Sequence, residues 1–180
     1  MRVKVKICGI TRVEDALLAA HAGADAIGFV FAESPRRVSV NEARRIVDAL
    51  PPFVCTVGVF VDASREEVLS TAREAGLHAV QLHGSEGPEF AESLEGVSVI
   101  KGLRVSSRAD VEEARRYRTG ILLDSRSAAG MGGTGETFEW EYARELSSKR
   151  PIILAGGLTV ENVEEAISAV SPWGVDVSSG

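Results

Sequence analysis

Eight short runs rich in valine, isoleucine and leucine recur along the chain, and a stretch with helical spacing separates each from the next. The runs are VKVKIC (3–8), DAIGFVF (25–31), VCTVGVFV (54–61), HAVQLH (78–83), VSVIKGL (97–103), GILLD (120–124), PIILAG (151–156) and GVDVS (174–178). Helical patterns fall at 13–22, 40–50, 65–75, 87–94, 108–117, 138–147 and 160–170. Apolar strands joined through helices cannot form hairpins, so they build a parallel sheet with helices on its faces. Eight such units predict an α/β fold, a closed (β/α)8 barrel of eight parallel strands. A doubly wound open sheet is the runner-up and would usually use fewer strands.

Local signals support this register. Thr11 with Glu14, Ser39 with Glu42 and Ser64 with Glu67 read as capping boxes, and Ser107 with Asp110 is a weaker version. Glycine closes two helices, at Gly23 and Gly76. AGADAIGFVF (22–31) and AGLHAVQLHG (75–84) echo one another, as a βα unit used more than once would. No linker or charge block divides the 180 residues, so 1–180 is expected to be a single barrel domain. The chain ends at VSSG just after the eighth strand, without an eighth helix, and a truncated domain is expected.

Composition narrows the partners. A net charge of −6 offers no broad basic surface, which argues against nucleic acid. No apolar run is long enough to span a bilayer and no export signal opens the chain, so no membrane role and a cytoplasmic location are expected. Two cysteines without metal-site spacing read as free thiols in a reducing compartment. A small anion is still a possible ligand, because backbone amides at a helix start bind phosphate whatever the global charge.

In a parallel barrel the chemistry sits at the C-terminal ends of the strands. Cys8 ends the first run, and alternation puts Lys4, Lys6 and Cys8 on one face and Val3, Val5 and Ile7 on the other. The apolar face should meet the helices, which sends Lys6 and Cys8 toward the axis. An inward lysine needs a carboxylate, and Asp176 is one candidate. Cys8 then has two readings: a packed inert thiol, or a base or nucleophile favoured as thiolate by the cation beneath it. Cys55, early in its run, reads as core.

Asp124 ends GILLD about a dozen residues before the next helix, so it is not placed as a cap. It reads either as a turn aspartate or as a general acid that keeps its proton in apolar surroundings. His83 in QLHG reads as a residue lining the pocket, and one arginine of SPRR, Arg36 or Arg37, as a partner for a ligand carboxylate. LAGGLT, with Gly156 and Gly157 before a helix expected to start at Thr159, fits a phosphate cradle; VSSG, with Ser179 and Gly180, would supply its other half. The long loop 125–138 is glycine-rich but lacks a dinucleotide fingerprint.

KICGIT, GADAIGFVF, SPR, VGVF, AVQLHG, LLD, GGTG, LAGGL and VDVSSG occur in this order from Lys6 to Gly180. Together they closely resemble the phosphoribosylanthranilate isomerase family of tryptophan biosynthesis. The resemblance implies a cofactor-free, metal-free Amadori rearrangement of an anthranilate-bearing phosphosugar, with Cys8 as general base and Asp124 as general acid. It implies Arg36 on the anthranilate carboxylate and Gly156, Gly157, Ser179 and Gly180 on the phosphate; His83 and Asp176, at the ends of their strands, are expected against the substrate. It also implies possible fusion or association with other enzymes of that pathway. Family members continue past VSSG into an eighth helix. The alternatives are another phosphosugar barrel, such as a dual-substrate sugar isomerase, or a non-catalytic phosphate-binding barrel. A chain extended by ~20–30 residues is expected to melt higher and to bind phosphate more tightly. Thermal melts and phosphate titrations of the two lengths check this.

Overall fold

The computed structural model of the chain describes residues 2–105, 107–124 and 136–178. Every apolar run forms a strand: β1 Lys4–Cys8, β2 Ala26–Val30, β3 Cys55–Phe60, β4 Ala79–Leu82, β5 Ser98–Arg104, β6 Gly120–Asp124, β7 Ile152–Ala155 and β8 Gly174–Val177. The helices between them are α1 Val13–His21, α2 Val40–Ala49, α3 Arg65–Ala75, α4 Pro88–Ser93, α5 Arg108–Arg115, α6 Glu136–Ser147 and α7 Val163–Val170. All eight strands pair in parallel and in sequence order, and β8 returns to β1, so the barrel is closed. Among the described residues, no helix is long and apolar enough to cross a membrane.

The caps behave as short-range chemistry dictates, with one exception. Ser39 and Glu42 form a reciprocal capping box on α2. Ser64 accepts the Glu67 N–H on α3, and the Asp110 carboxylate accepts from the Ser107 N–H and hydroxyl on α5. Thr11 does not cap α1. Arg12, with extended backbone, is the N-cap there, so Thr11 stands one residue too early for its hydroxyl to reach the first turn. Gly76 ends α3 with a left-handed backbone, φ 73°.

Partners in a parallel ladder point to the same side, so the register sorts inner from outer residues. Ile27, Phe29, Val80, Leu82, Ile121, Leu123, Ile152, Leu154 and Val175 face outward and are buried beneath the helices. They meet Ala43 and Ile46 of α2, Val68 of α3, Val111 and Ala114 of α5, and Ala166 and Val170 of α7. The main apolar core is thus the layer between sheet and helices, while inside the barrel Val57, Val59 and Leu122 share the space with buried Lys6, Gln81 and Asp176.

Lys101 breaks that rule. It alternates outward on β5 yet is only 1% exposed. Its ammonium lies 2.8 Å from Glu86 Oε2 and 2.6 Å from the Gly84 carbonyl. Glu86 also accepts the backbone N–H of Asp62 at 2.8 Å and of Gly84 at 2.9 Å, while the Tyr117 hydroxyl donates to its carbonyl. One carboxylate therefore joins the loops that follow β3 and β4 to the flank of β5. Removing one partner of a buried ion pair leaves the other charge unpaired, so Glu86→Ala is expected to cost about 3–5 kcal/mol. Loss of the exposed Arg44–Asp48 pair, by contrast, should cost under about 1 kcal/mol. Urea unfolding of Glu86→Ala and Asp48→Ala measures the difference.

Candidate active site

The inner side chains stack in layers, each drawn from alternate strands. Across the β1–β8 ladder Lys6 stands opposite Asp176, and across β1–β2 Cys8 stands opposite Gly28. Gly28, Gln81, Leu122 and Asp176 share one layer; Val30, His83, Asp124 and Ser178 share the next toward the C-terminal mouth. Cys8 falls between these two, level with Gly102.

Lys6 and Asp176 form the ion pair that alternation suggested, Nζ to Oδ2 at 2.9 Å, with both side chains under a tenth exposed. Burial works against the ammonium, but Asp176 and the neighbouring Cys8 outweigh it and hold Lys6 above its ordinary pKa. Burial lifts the Asp176 carboxyl group above the usual carboxylate range, against the pull of Lys6. Asp176 Oδ1 has no hydrogen-bond partner among the described residues.

The expectation that Lys6 would favour a Cys8 thiolate is corrected by the structure. Burial pushes the Cys8 thiol up; Lys6 pulls it down but does not win, and Asp176 adds to the rise. The physical reason is that Lys6 is already neutralised by Asp176, so little net positive field reaches a thiol that has lost most of its water. Room for the sulfur comes from β2: a Cβ on Gly28 would lie 2.7 Å from Cys8 Sγ and 3.1 Å from its Cα. Cys55 lies at the opposite, N-terminal end of β3, in register with Ala26.

Asp124 and His83 meet. His83 Nε2 is 3.3 Å from Asp124 Oδ2, and His83 Nδ1 is 2.9 Å from Gln81 Nε2. Gly102 makes this possible, since a Cβ there would lie 2.7 Å from His83 Nδ1. The sequence placed His83 in the pocket but did not reveal its bond to Asp124. A glycine at an inward strand position opposite a large polar residue was the signal that could have found both contacts. Asp62, another polar strand end, turns to the loop after β4 instead and accepts from the Ser85 N–H and hydroxyl.

Arg36 crosses the mouth from the loop after β2. Its N–H donates to Ser34 Oγ at 3.1 Å, and its guanidinium donates to Ser178 Oγ at the end of β8. Gly9 lies under it with φ 81°, and a Cβ there would meet Arg36 Cδ at 2.7 Å. Any other residue at position 9 would be strained in its backbone and would displace the arginine.

Gly156 and Gly157 both adopt positive φ after β7. The helix that follows starts at Val163 rather than near Thr159. Asn162 folds back, accepting the Thr159 N–H and donating to the Gly157 carbonyl, which makes a turn of the residues expected to open the helix. Ser179, Gly180 and most of the 125–138 loop lie outside the described residues.

A half-buried thiol and a histidine-linked carboxyl group at the C-terminal mouth of a closed parallel barrel place the chain among (β/α)8 barrels with titratable groups at the mouth. Residues 5–180 match the family model of N-(5'-phosphoribosyl)anthranilate (PRA) isomerase, and the chain belongs to that family. It is 51% identical over 180 residues to an N-(5'-phosphoribosyl)anthranilate isomerase of Pelobacter propionicus, spanning 99% of this chain and 86% of that protein. The phosphoribosyl anthranilate isomerase of Thermotoga maritima superimposes with a TM-score of 0.91 at 48% identity, covering 99% and 89% of the two chains. A phosphoribosyl anthranilate isomerase in complex with reduced 1-(o-carboxyphenylamino)-1-deoxyribulose 5-phosphate does so with 0.88 at 46%, covering 99% and 88%.

Because burial outweighs Lys6, the alkylation rate of Cys8 by iodoacetamide is expected to keep rising beyond pH 9, above the ordinary thiol range. Mass-spectrometric labelling against pH, with Cys8→Ser as the blank, checks it; a plateau near pH 7 would contradict the burial argument.

Proposed function

We propose that the chain isomerises N-(5'-phosphoribosyl)anthranilate to 1-(2-carboxyphenylamino)-1-deoxyribulose 5-phosphate, with Asp124 as general acid and Cys8 as general base. One observation carries this assignment: both groups enter the same mouth, from walls separated by β7 and β8. Acid and base can then reach opposite sides of one sugar.

Asp124 gives its proton to the furanose ring oxygen as the C1–O bond breaks, and the nitrogen lone pair forms a protonated imine. That cation acidifies the hydrogen on C2, and Cys8 removes it to leave an enolamine, which tautomerises to the ketone. Only the thiolate fraction of Cys8 can take the C2 proton. Burial keeps that fraction small in the empty site, and an imine charge formed beside it favours that fraction. Both proton transfers use side chains, so the route requires neither metal nor nicotinamide.

The remaining groups orient the substrate. Arg36 reaches across the mouth and offers a planar pair of donors to the anthranilate carboxylate. Asp176 borders the sugar from the layer beneath, and His83 from the layer of Asp124. The turn at Gly156 and Gly157, both of positive φ after β7, supplies one half of the phosphate cradle, and Ser179 and Gly180 the other. Two unpaired cysteines suit a reducing cytoplasm, the location this reading carries.

The anthranilate group is fluorescent, so loss of substrate is followed directly. Cys8→Ser and Asp124→Asn are each expected to lower kcat by about 10²–10⁴-fold. Arg36→Met should act mainly through KM, because it removes a contact made equally before and during reaction. Unchanged turnover in both Cys8→Ser and Asp124→Asn would remove these residues from the acid and base roles, and no turnover in the wild type would assign the barrel to phosphate binding without catalysis.

A further inference from the structure

Gln81 stands beneath the His83–Asp124 pair and has no part in the scheme above. It is 2% exposed, two residues before His83 on β4, with its Nε2 2.9 Å from His83 Nδ1. Its Oε1 has no hydrogen-bond partner among the described residues. The register sets it in one layer with Asp176, whose Oδ1 is the other buried acceptor without a partner there. A buried amide oxygen left unpaired carries a desolvation cost that folded chains remove where they can. Half a turn of the amide exchanges Oε1 and Nε2 with almost no change of shape. The carbonyl then takes the place 2.9 Å from His83 Nδ1, where it is paired, and the NH2 takes the other place.

The two settings differ in what the imidazole can hold. With the NH2 toward the ring, Nδ1 is the bare acceptor, so Nε2 carries the hydrogen and donates to Asp124 as a carboxylate. Asp124 then has no proton to give along this bond. With the carbonyl toward the ring, Nδ1 carries the hydrogen and Nε2 offers its lone pair.

We propose that Gln81 is a positioning residue for the acid step: its carbonyl holds His83 as the Nδ1–H tautomer, leaving Nε2 to accept a hydrogen bond from the protonated Asp124 carboxyl group. The inference rests on Asp124 being the acid. A hydrogen bond donated by the neutral carboxyl group favours that form, so Asp124 keeps its proton until substrate arrives. The proton then leaves Asp124 for the ring oxygen, the C1–O bonding pair goes to that oxygen, and no other reactant enters. Among the described residues, the charged groups near this pair include Asp176 from β8, in electrostatic reach of both His83 and Asp124, its ion-pair partner Lys6 from β1, and Arg104, in register with Asp124 on β5. Gln81 is the side chain that meets Nδ1.

Nitrogen-15 labelling of the three histidines, with His83 identified by its loss in His83→Asn, reads the tautomer in the free wild type. A protonated Nδ1 at neutral pH is expected; a bare Nδ1 beside a protonated Nε2 would overturn the proposal, and this reading needs no Gln81 variant to fold. Gln81→Met keeps the length of the side chain and removes the carbonyl. It should move the limb of the kcat/KM profile that belongs to Asp124 about one unit toward lower pH, about a tenfold loss where that group limits the rate. A profile scaled down uniformly, with both limbs in place, would show Gln81 to be merely structural and overturn the proposal. An inactive wild type would instead sink the acid–base reading itself, whereas an active wild type with a bare Nδ1 sinks this inference alone.

Discussion

The ion pair between Lys6 and Asp176 is where the closure of the barrel and its chemistry coincide. It bridges β1 and β8, the one joint that brings together strands from the two ends of the sequence. It also lies under Cys8 and in electrostatic reach of His83 and Asp124, so a single pair of charges underlies both walls of the mouth. Two ions buried this deeply owe little net stability to each other, because their desolvation offsets most of the attraction. What the pair provides is fixed geometry: a lysine that cannot be spared by Asp176, and a thiol that receives only a fraction of its field.

The side chains at the mouth are set by what is missing beside them. Gly28 leaves space for the sulfur of Cys8, Gly102 for the imidazole of His83, and Gly9 for the stem of Arg36. Three glycines on the elements next to the functional residues thus decide where those residues point. The apolar core, on the other side of the sheet, supplies rigidity without crossing into the mouth. Separating the two functions, outer layer for stability and inner layer for chemistry, lets polar groups accumulate inside without weakening the packing against helices.

The alternation of strands and helices was legible because the strands are mostly apolar on the face that meets the helices, Lys101 apart, and side-chain caps mark α2, α3 and α5. Two local readings went astray for the same reason. Thr11 and Thr159 both sit before a helix in the right sequence context, yet the backbone delays the first turn, by Arg12 in one case and by the Asn162 turn in the other. The inward course of Lys6 and Cys8 followed from period-two alternation alone. The ionisation of Cys8 did not, since it depends on how much of the lysine charge a third residue, 168 positions away in sequence, has already taken. Contacts that reach across an intervening strand, such as His83 after β4 with Asp124 on β6, need a register that no single run contains.

The carboxylate of Glu86 has a consequence for how such a barrel can change. Loops on this rim are commonly pictured as interchangeable parts that evolve one at a time on a fixed frame. Here the segment after β3 borrows its anchor from the segment after β4, and both lean on a lysine rooted in β5. Grafting either segment alone into a related scaffold would leave amide groups or an ammonium stranded out of water. These three neighbours constitute one heritable module, and recombination should respect its borders.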